Sequence, residues 1–183
     1  MTHPLIIGIA GPARHGKDTI ARRLVEQHGF VQLSYAGAIR DMLEIGLGVS
    51  THYLYDDKET DIPWLGCSAR HLMQTLGTQW GRHCIREDLW RLILQRRITD
   101  LADATDRLVI SDVRFANEAD WIRDLPNGHV WHVFRPGQAT LATAHPSEAG
   151  IHAHPRDCLL SNTTLDALYS QIDRAVQHLI PNS

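Results

Sequence analysis

Short apolar runs alternate with amphipathic stretches along most of the chain, and each change of period marks an element. Leu5 to Ala10 (LIIGIA) is apolar throughout and opens onto a glycine-rich turn, the pattern of a buried strand. Ile20, Ala21, Leu24 and Val25 then recur at helical spacing, and Gly29 stands where a left-handed glycine closes a helix. Residues 30–34 (FVQLS) predict a second strand, and Ala38 to Leu47 a helix or helical turn. Residues 48–67 have no clear period and predict a loop or small helical cap. Ser68 can cap a helix striped by Leu72, Met73 and Leu76 and ended by Gly77, and a further helix is expected over about Glu87 to Ala104. LVIS (108–111) predicts a strand ending at Asp112, HVWHVF (129–134) another, and CLLS (158–161) a short last one. Between the latter two, Arg135 to Asp157 is rich in His, Pro, Ala and Gly and long for a passive connection, which makes it a lid candidate. The chain closes on Leu165, Leu168, Ile172, Ala175, Val176 and Leu179 along one helical face, with Thr163 and Asp166 spaced as a capping box.

Strands alternating with helices imply an α/β fold with a parallel sheet, whose ligands gather at the carboxyl ends of the strands. A length of 183 residues suits one domain with a real core. The cysteines, Cys67, Cys84 and Cys158, are odd in number and form no C-x-x-C pair, so neither a disulfide framework nor a zinc knuckle is expected, and a reducing cytoplasm is. No apolar run approaches the roughly 20 residues that span a bilayer, and the N-terminus lacks a signal-peptide pattern, so no membrane partner is expected. The net charge of -3 argues against stable nucleic-acid binding through a global positive field. A local anion site is a different matter. Of 18 cationic side chains only Lys17 and Lys58 are lysines; the rest are arginines, suited to bidentate phosphate recognition.

The first strand delivers its carboxyl end to Gly11-Pro-Ala-Arg-His-Gly16-Lys17-Asp18-Thr19, the G-x-x-x-x-G-K spacing of a phosphate loop, with a strand before and a helix after as that chemistry requires. Gly11 and Gly16 permit close backbone approach, the amides from Arg14 through Thr19 and the helix N-terminus face an anion, and Lys17 reaches the β and γ phosphates. Asp18 stands where Ser or Thr usually binds Mg²⁺, with Thr19 one place later. Magnesium is then held through water, through Asp18 or Thr19, or by another carboxylate. Motors and switches need more chain and a water-positioning residue; a short chain with many arginines and a lid-like loop looks more like a small-molecule kinase.

The ordered set of motifs resembles the phage-type deoxynucleoside monophosphate kinases, within the P-loop nucleoside monophosphate kinase group. It comprises the G-K-D-T loop, Tyr35-Ala-Gly-Ala-Ile-Arg40-Asp41, Arg70-His-Leu-Met-Gln74-Thr-Leu-Gly77-Thr78, Asp88-Leu-Trp90, Ile110-Ser-Asp112-Val-Arg114-Phe-Ala-Asn-Glu118, Val133-Phe-Arg135-Pro-Gly137, His145-Pro-Ser-Glu148 and Asp157-Cys-Leu-Leu-Ser-Asn162. The insert over 48–67 is shorter than in some members, and Gln79 stands where an acidic residue is common, which leaves the base preference open.

The resemblance implies a three-layer fold around a five-stranded parallel sheet, an acceptor-binding insert over about 36–90 and a mobile lid over about 135–157. It also implies a single kinase domain over 1–183 that moves the γ-phosphate of ATP, with Mg²⁺, onto a deoxynucleoside monophosphate. Arg70 and Arg114 would grip the acceptor phosphate, Arg40 more weakly, and Gln74, one helical turn past Arg70, would face the same pocket. Asp112 would hold a magnesium water or orient that phosphate, and Glu118 would fix an arginine or act directly. Gly77, Thr78 and Trp90 match nucleoside-binding positions, with Trp90 as a stacking surface by that match, although its spacing with Ile93 and Leu94 is that of a core residue; Trp64 and Trp80 are structural or pocket-lining. Arg135, with Arg14, would reach the transferring phosphate, and His145 and Glu148 would order the lid. His145, His152, His154 and Cys158 fit no standard zinc spacing. The competing readings are a P-loop kinase of another acceptor, of dephospho-coenzyme A type or a modified base in DNA, and a non-catalytic nucleotide-binding module. A monomer or homodimer in the cytoplasm, that of a host bacterium for a phage protein, completes the expectation.

Overall fold

The apolar run Leu5–Ala10 forms β1, and its place at the middle of the sheet explains why it carries no exposed polar side chain. In the computed structural model, which describes residues 3–101, 103–138 and 151–180, the remaining strands of this sheet are β2 (Val31–Leu33), β5 (Arg107–Val113), β6 (Gly128–Phe134) and β7 (Cys158–Ser161). They lie in the order β2-β5-β1-β6-β7, and every pairing is parallel. The five-stranded parallel sheet expected from the alternation is therefore present. β1 is hydrogen-bonded on both edges, by β5 and by β6, so its side chains are buried on both faces.

The helices cover both faces. Ile7 and Ile9 share one core with Ile20, Ala21 and Leu24 of α1 (Lys17–His28) and with Leu168, Ile172 and Val176 of α6 (Leu165–Leu179). Gly8, between them, points to the opposite face, where a Cβ would come within 2.5 Å of Ile122 on α5 (Ala116–Arg123). Gly8 thus lets α5 pack closely on the sheet. The last helix starts one residue later than its spacing suggests: Thr164, not Thr163, is the cap, its hydroxyl accepting from the amide of Ala167 at 3.2 Å. The α5 helix is absent from the sequence reading, because in eight residues only Ala119 and Ile122 are buried apolar positions and no stripe is visible.

By its contacts the chain divides into two units, Met1–Leu33 with Asp100–Ser183, which holds the sheet, and Ser34–Thr99. The second unit contains α2 (Tyr35–Leu47), a π-helical turn (His52–Asp56), a two-residue-per-strand hairpin of β3 (Asp61–Ile62) and β4 (Cys67–Ser68), α3 (Ala69–Gln74) and most of α4 (Leu89–Asp100). Ser68 caps α3 as expected, accepting from the amide of His71 at 3.3 Å. Gly77 does not end that helix, and Leu72, Met73 and Leu76 are only half-buried. The chain runs on as a π-helix, Thr75–Ile85, against the indole of Trp90. Trp90 donates its ring N–H to the carbonyl of Gly77 at 2.7 Å, and a Cβ on Gly81 would lie 2.4 Å from its ring. The two glycines, one turn apart, are the groove in which the indole lies.

The polar anchor of the first unit is Asp157, whose side chain is 1% exposed. Arg123 of α5 donates to both its oxygens, at 3.0 and 2.6 Å, and His132 of β6 and the amide of His154 reach it at 2.9 and 2.7 Å. These bonds hold its pKa below the ordinary carboxylate value against the cost of burial, whereas burial lowers the pKa of His132 and of His129. Replacing Asp157 with Asn strands Arg123, and we expect a loss of about 3 kcal/mol, read as a melting temperature about 6–12 °C lower. A buried imidazole with a depressed pKa binds fewer protons folded than unfolded, so its contribution is complete above its unfolded value and is lost as pH falls through the folded one. The melting temperature should accordingly begin to fall below about pH 6.5, and the carboxylate contribution of Asp157 should disappear only at more acidic pH.

Candidate active site

The turn from β1 into α1 puts three residues in the left-handed half of backbone space: Gly11 (φ 141°), Arg14 (φ 64°) and Gly16 (φ 113°). Arg14 is the only non-glycine residue so placed among the described residues, at a cost of about 1–2 kcal/mol. Alternating backbone hand turns successive amides toward one point, an anion nest at a helix N-terminus. Lys17, first residue of α1, reaches back across it and donates to the carbonyls of Gly11 and Pro12 at 2.7 and 2.8 Å. Its ammonium thus closes the loop and adds a positive charge to it.

The loop is held from outside by the ends of β6 and β7. A Cβ on Gly11 would meet the carbonyl oxygen of Val133 at 2.4 Å, so only glycine allows β6 this close. His15, 4% exposed, accepts the amide of Arg135 on Nδ1 at 3.0 Å. That bond puts the proton of the neutral ring on Nε2, which is buried and has no partner among the described residues. Burial, then Lys17 and Arg135, lower the pKa of His15, so the ring is neutral near pH 7. The expected contact of His15 with a nucleotide is thereby limited to its backbone, since the side chain is buried and turned to β6. Asn162 completes the frame, its side-chain amide donating to the carbonyl of His15 at 2.9 Å.

The loop suits a polyphosphate: its backbone alternates in hand at the N-terminus of α1, and one ammonium lies across it. Asp18 is exposed and Thr19 half-buried, both in the first turn of α1. Among the described residues no group of three or more His, Cys, Asp and Glu side chains is arranged to hold a metal. The oxygen donors here suit a hard cation that keeps most of its water and takes phosphate oxygens. His152 and His154 are exposed, and burial raises the Cys158 thiol above its ordinary value, away from the thiolate a zinc site needs.

Beside the loop, β5 carries Asp112, and the turn that follows it Arg114, to the same edge of the sheet. The β1–β5 register slips there, Gly8 pairing with Ile110 but Ala10 with Val113, so the strand bulges around Asp112 and runs one residue further than expected. Glu118 is 2% exposed, and its Oε2 accepts the amides of Arg114 and Phe115 at 2.9 and 3.1 Å. These bonds brace the backbone of the turn that carries Arg114, a contact different from the ion pair with an arginine that was expected of it. Arg135 is exposed at the start of a turn in which Gln138 donates to its carbonyl at 3.2 Å. The lid candidate 135–157 is described at both ends, while residues 139–150, with His145 and Glu148, lie outside the described residues.

The second unit holds the other candidates. Arg70, on α3, pairs with Glu59, both side chains substantially exposed, and Gln74 follows one turn on along α3. Arg40 donates to the hydroxyl of Ser34 at 3.2 Å and stacks its guanidinium 4.9 Å over the ring of Tyr55, with Nε buried and unpartnered among the described residues. Gly77 is buried against Ile39, and Thr78 is half-buried beside it. Trp90, at 3% exposure, is a core residue and offers no face for a base to stack on; Trp64 and Trp80 are exposed. Sequence reasoning assigned no task to Asn162 or Asp157, although both stand in a matched stretch; for Asn162, which follows β7, the position at the carboxyl edge of the sheet was the available signal.

A parallel sheet of this order with a phosphate loop after its central strand defines a P-loop kinase. Two solved structures share the fold: TT1252 from Thermus thermophilus (TM-score 0.60, 18% identity, covering 99% of this chain and 100% of that one) and the dephospho-CoA kinase from Campylobacter jejuni (TM-score 0.50, 12% identity, 98% and 99%). The model of the deoxynucleotide monophosphate kinase family matches residues 58–172. A candidate deoxynucleotide monophosphate kinase of Acanthamoeba polyphaga mimivirus is 31% identical over 189 residues, which span 95% of this chain and 97% of the relative. The deoxynucleoside-5'-monophosphate kinase of Escherichia phage T5 is 36% identical over 103 residues, 54% of this chain and 40% of that one. The chain belongs to the deoxynucleotide monophosphate kinase family. No helix among the described residues is long and apolar enough to cross a membrane.

Replacing Gly11 with Ala drives a methyl into the Val133 carbonyl on a backbone that L-residues avoid. We expect the loop to be displaced, with nucleotide affinity reduced at least tenfold in calorimetric titration and the melting temperature lowered by several degrees.

Proposed function

We propose that this protein transfers the γ-phosphoryl group of ATP to a deoxynucleoside monophosphate, giving the diphosphate and ADP. The observation that carries the reading is the phosphate loop closed by Lys17 at the end of the central strand, in a chain of this family. Phosphoryl transfer between two nucleotides brings polyanions together and asks for positioning and charge neutralisation more than for covalent help. The loop amides and Lys17 hold the donor triphosphate. Asp18 and Thr19 are this chain's oxygen donors toward a magnesium ion, which would supply further charge neutralisation. Asp112 would hold a water of that ion or orient the acceptor phosphate, and Arg135 and Arg14, both exposed, contribute positive charge toward the transferring group.

Acceptor recognition falls to Arg70, Arg114 and, more weakly, Arg40, with Gln74, Gly77 and Thr78 toward the nucleoside. The exposed Arg70–Glu59 pair is worth no more than about 1 kcal/mol, so exchanging Glu59 for a dianionic phosphate costs Arg70 little. No general base is required of the protein, because the acceptor already presents an anionic oxygen. An ion-rich nucleotide substrate and a net charge of -3 suit a free nucleotide rather than a polymer.

A coupled ADP-release assay with MgATP against dAMP, dGMP, dCMP, dTMP, modified deoxynucleotides and the matching ribonucleotides tests the reading. Turnover on one or two deoxynucleotides is expected, and Lys17→Ala should lower it at least a thousandfold without loss of fold. MgATP binding with no turnover on any of them would refute the acceptor assignment; near-wild-type rates in Lys17→Ala would refute the donor site.

A further inference from the structure

We propose that Asn162 is a positioning residue for the donor phosphate, acting through the backbone of the phosphate loop. The inference rests on the donor site proposed above and extends it to a residue outside the loop. Asn162 follows β7, the edge strand, 146 positions beyond Gly16 (162 less 16), yet it makes the closest side-chain approach to that glycine: a Cβ on Gly16 would lie 2.5 Å from its Nδ2. Nδ2 donates to the carbonyl of His15 at 2.9 Å, and the Asn162 amide donates to the carbonyl of Phe134 at 2.8 Å. Phe134 precedes Arg135, whose amide donates to the ring of His15. Three strand ends are thereby tied in one circuit: β7 to β6 through Asn162 and Phe134, β6 to the loop through Arg135 and His15, and the loop back to β7 through His15 and Asn162.

The physical consequence lies in the orientation of one peptide plane. The carbonyl of His15 and the amide of Gly16 belong to the same planar unit and point in opposite directions. Fixing the carbonyl against Asn162 therefore aims the Gly16 N–H the other way, toward the space on which Arg14, Gly16 and the start of α1 converge. The peptide is flanked by a residue at φ 113°, a conformation that relaxes readily without an external tie. Asn162 supplies that tie before a nucleotide arrives, so the loop does not spend binding energy on turning the plane. An amide is required for this: aspartate is isosteric but has no donor, and would set an oxygen against the His15 carbonyl.

Asn162→Ala and Asn162→Asp, with Gln171→Ala as the companion, test the inference. Gln171 bonds both backbone groups of the preceding residue, Ser161, at 3.0 and 2.9 Å, and so secures the same strand end without touching the loop. Calorimetric titration with MgADP, in the absence of any acceptor, should give affinity about tenfold weaker for both Asn162 variants, unchanged within twofold for Gln171→Ala, and melting temperatures that do not follow this order. In steady state the KM for ATP should rise with that affinity while the KM for the acceptor moves less than twofold. Wild-type affinity in Asn162→Asp, or an equal loss in Gln171→Ala, would overturn the assignment and leave the donor site standing. A wild-type protein that bound no MgADP would overturn the donor site and the inference together.

Discussion

An anion-binding loop must hold several amides pointed at one place while the anion is absent, and peptide dipoles so aligned repel one another. The whole sheet-bearing unit of this protein is arranged around that constraint. Gly11, Arg14 and Gly16 accept left-handed backbone in the loop, and its carbonyls find partners: Gly11 and Pro12 receive the Lys17 ammonium, and His15 receives Asn162. The strand order follows from the same need. With β1 in the centre and β6 beside it, the carboxyl end of β6 stands against Gly11 and offers the Arg135 amide to His15.

Charge is distributed in two ways that composition alone cannot separate. Arg123 is 11% exposed and locked on a carboxylate that is 1% exposed, and Arg23 is half-buried between Asp173 and the ring of Tyr169. These cations hold elements together: α5 to β6 and the entry of β7 in one case, α1 to α6 in the other. Arg70 pairs with Glu59 at the surface, and Arg14 and Arg135 are exposed. A phosphate can recruit the second kind at little cost, because a surface ion pair is worth little, whereas drawing Arg123 away would leave the buried carboxylate of Asp157 without its guanidinium. Depth, rather than residue type, therefore sorts the arginines into structural and ligand-facing sets.

Glycine plays a comparable double part. Gly29 and Gly48 close helices in left-handed conformations, with open space where a side chain would be, so there the backbone hand sets the requirement. Gly8, Gly77 and Gly81 have ordinary backbone and are instead places where another element comes too close for a side chain: Ile122, Ile39 and the indole of Trp90 respectively. Reading Gly77 as a helix stop follows from the first use, whereas its packing belongs to the second, and the chain continues through it as a π-helix.

The sequence by itself determined the five strands, the helices with a full apolar stripe, the phosphate loop and the class of chemistry, because each rests on local period or on a contiguous motif whose backbone requirements are written in its own glycines. It did not reveal α5, where eight mostly polar residues bury only two apolar side chains and no period can be read, or the role of Trp90, whose helical spacing fits a core residue as well as a stacking one. Only the tertiary structure decided that Glu118 serves the turn carrying Arg114, that His15 faces β6 rather than a ligand, and that Asn162 and Asp157 matter at all. Each of those roles is a hydrogen bond between residues far apart in the chain or between a side chain and a buried backbone group, and such bonds leave no mark on composition or spacing. The bond from Asn162 to the phosphate loop exists because a parallel sheet gathers the carboxyl ends of its strands at one edge, where groups that are strangers in sequence become the nearest neighbours of the loop.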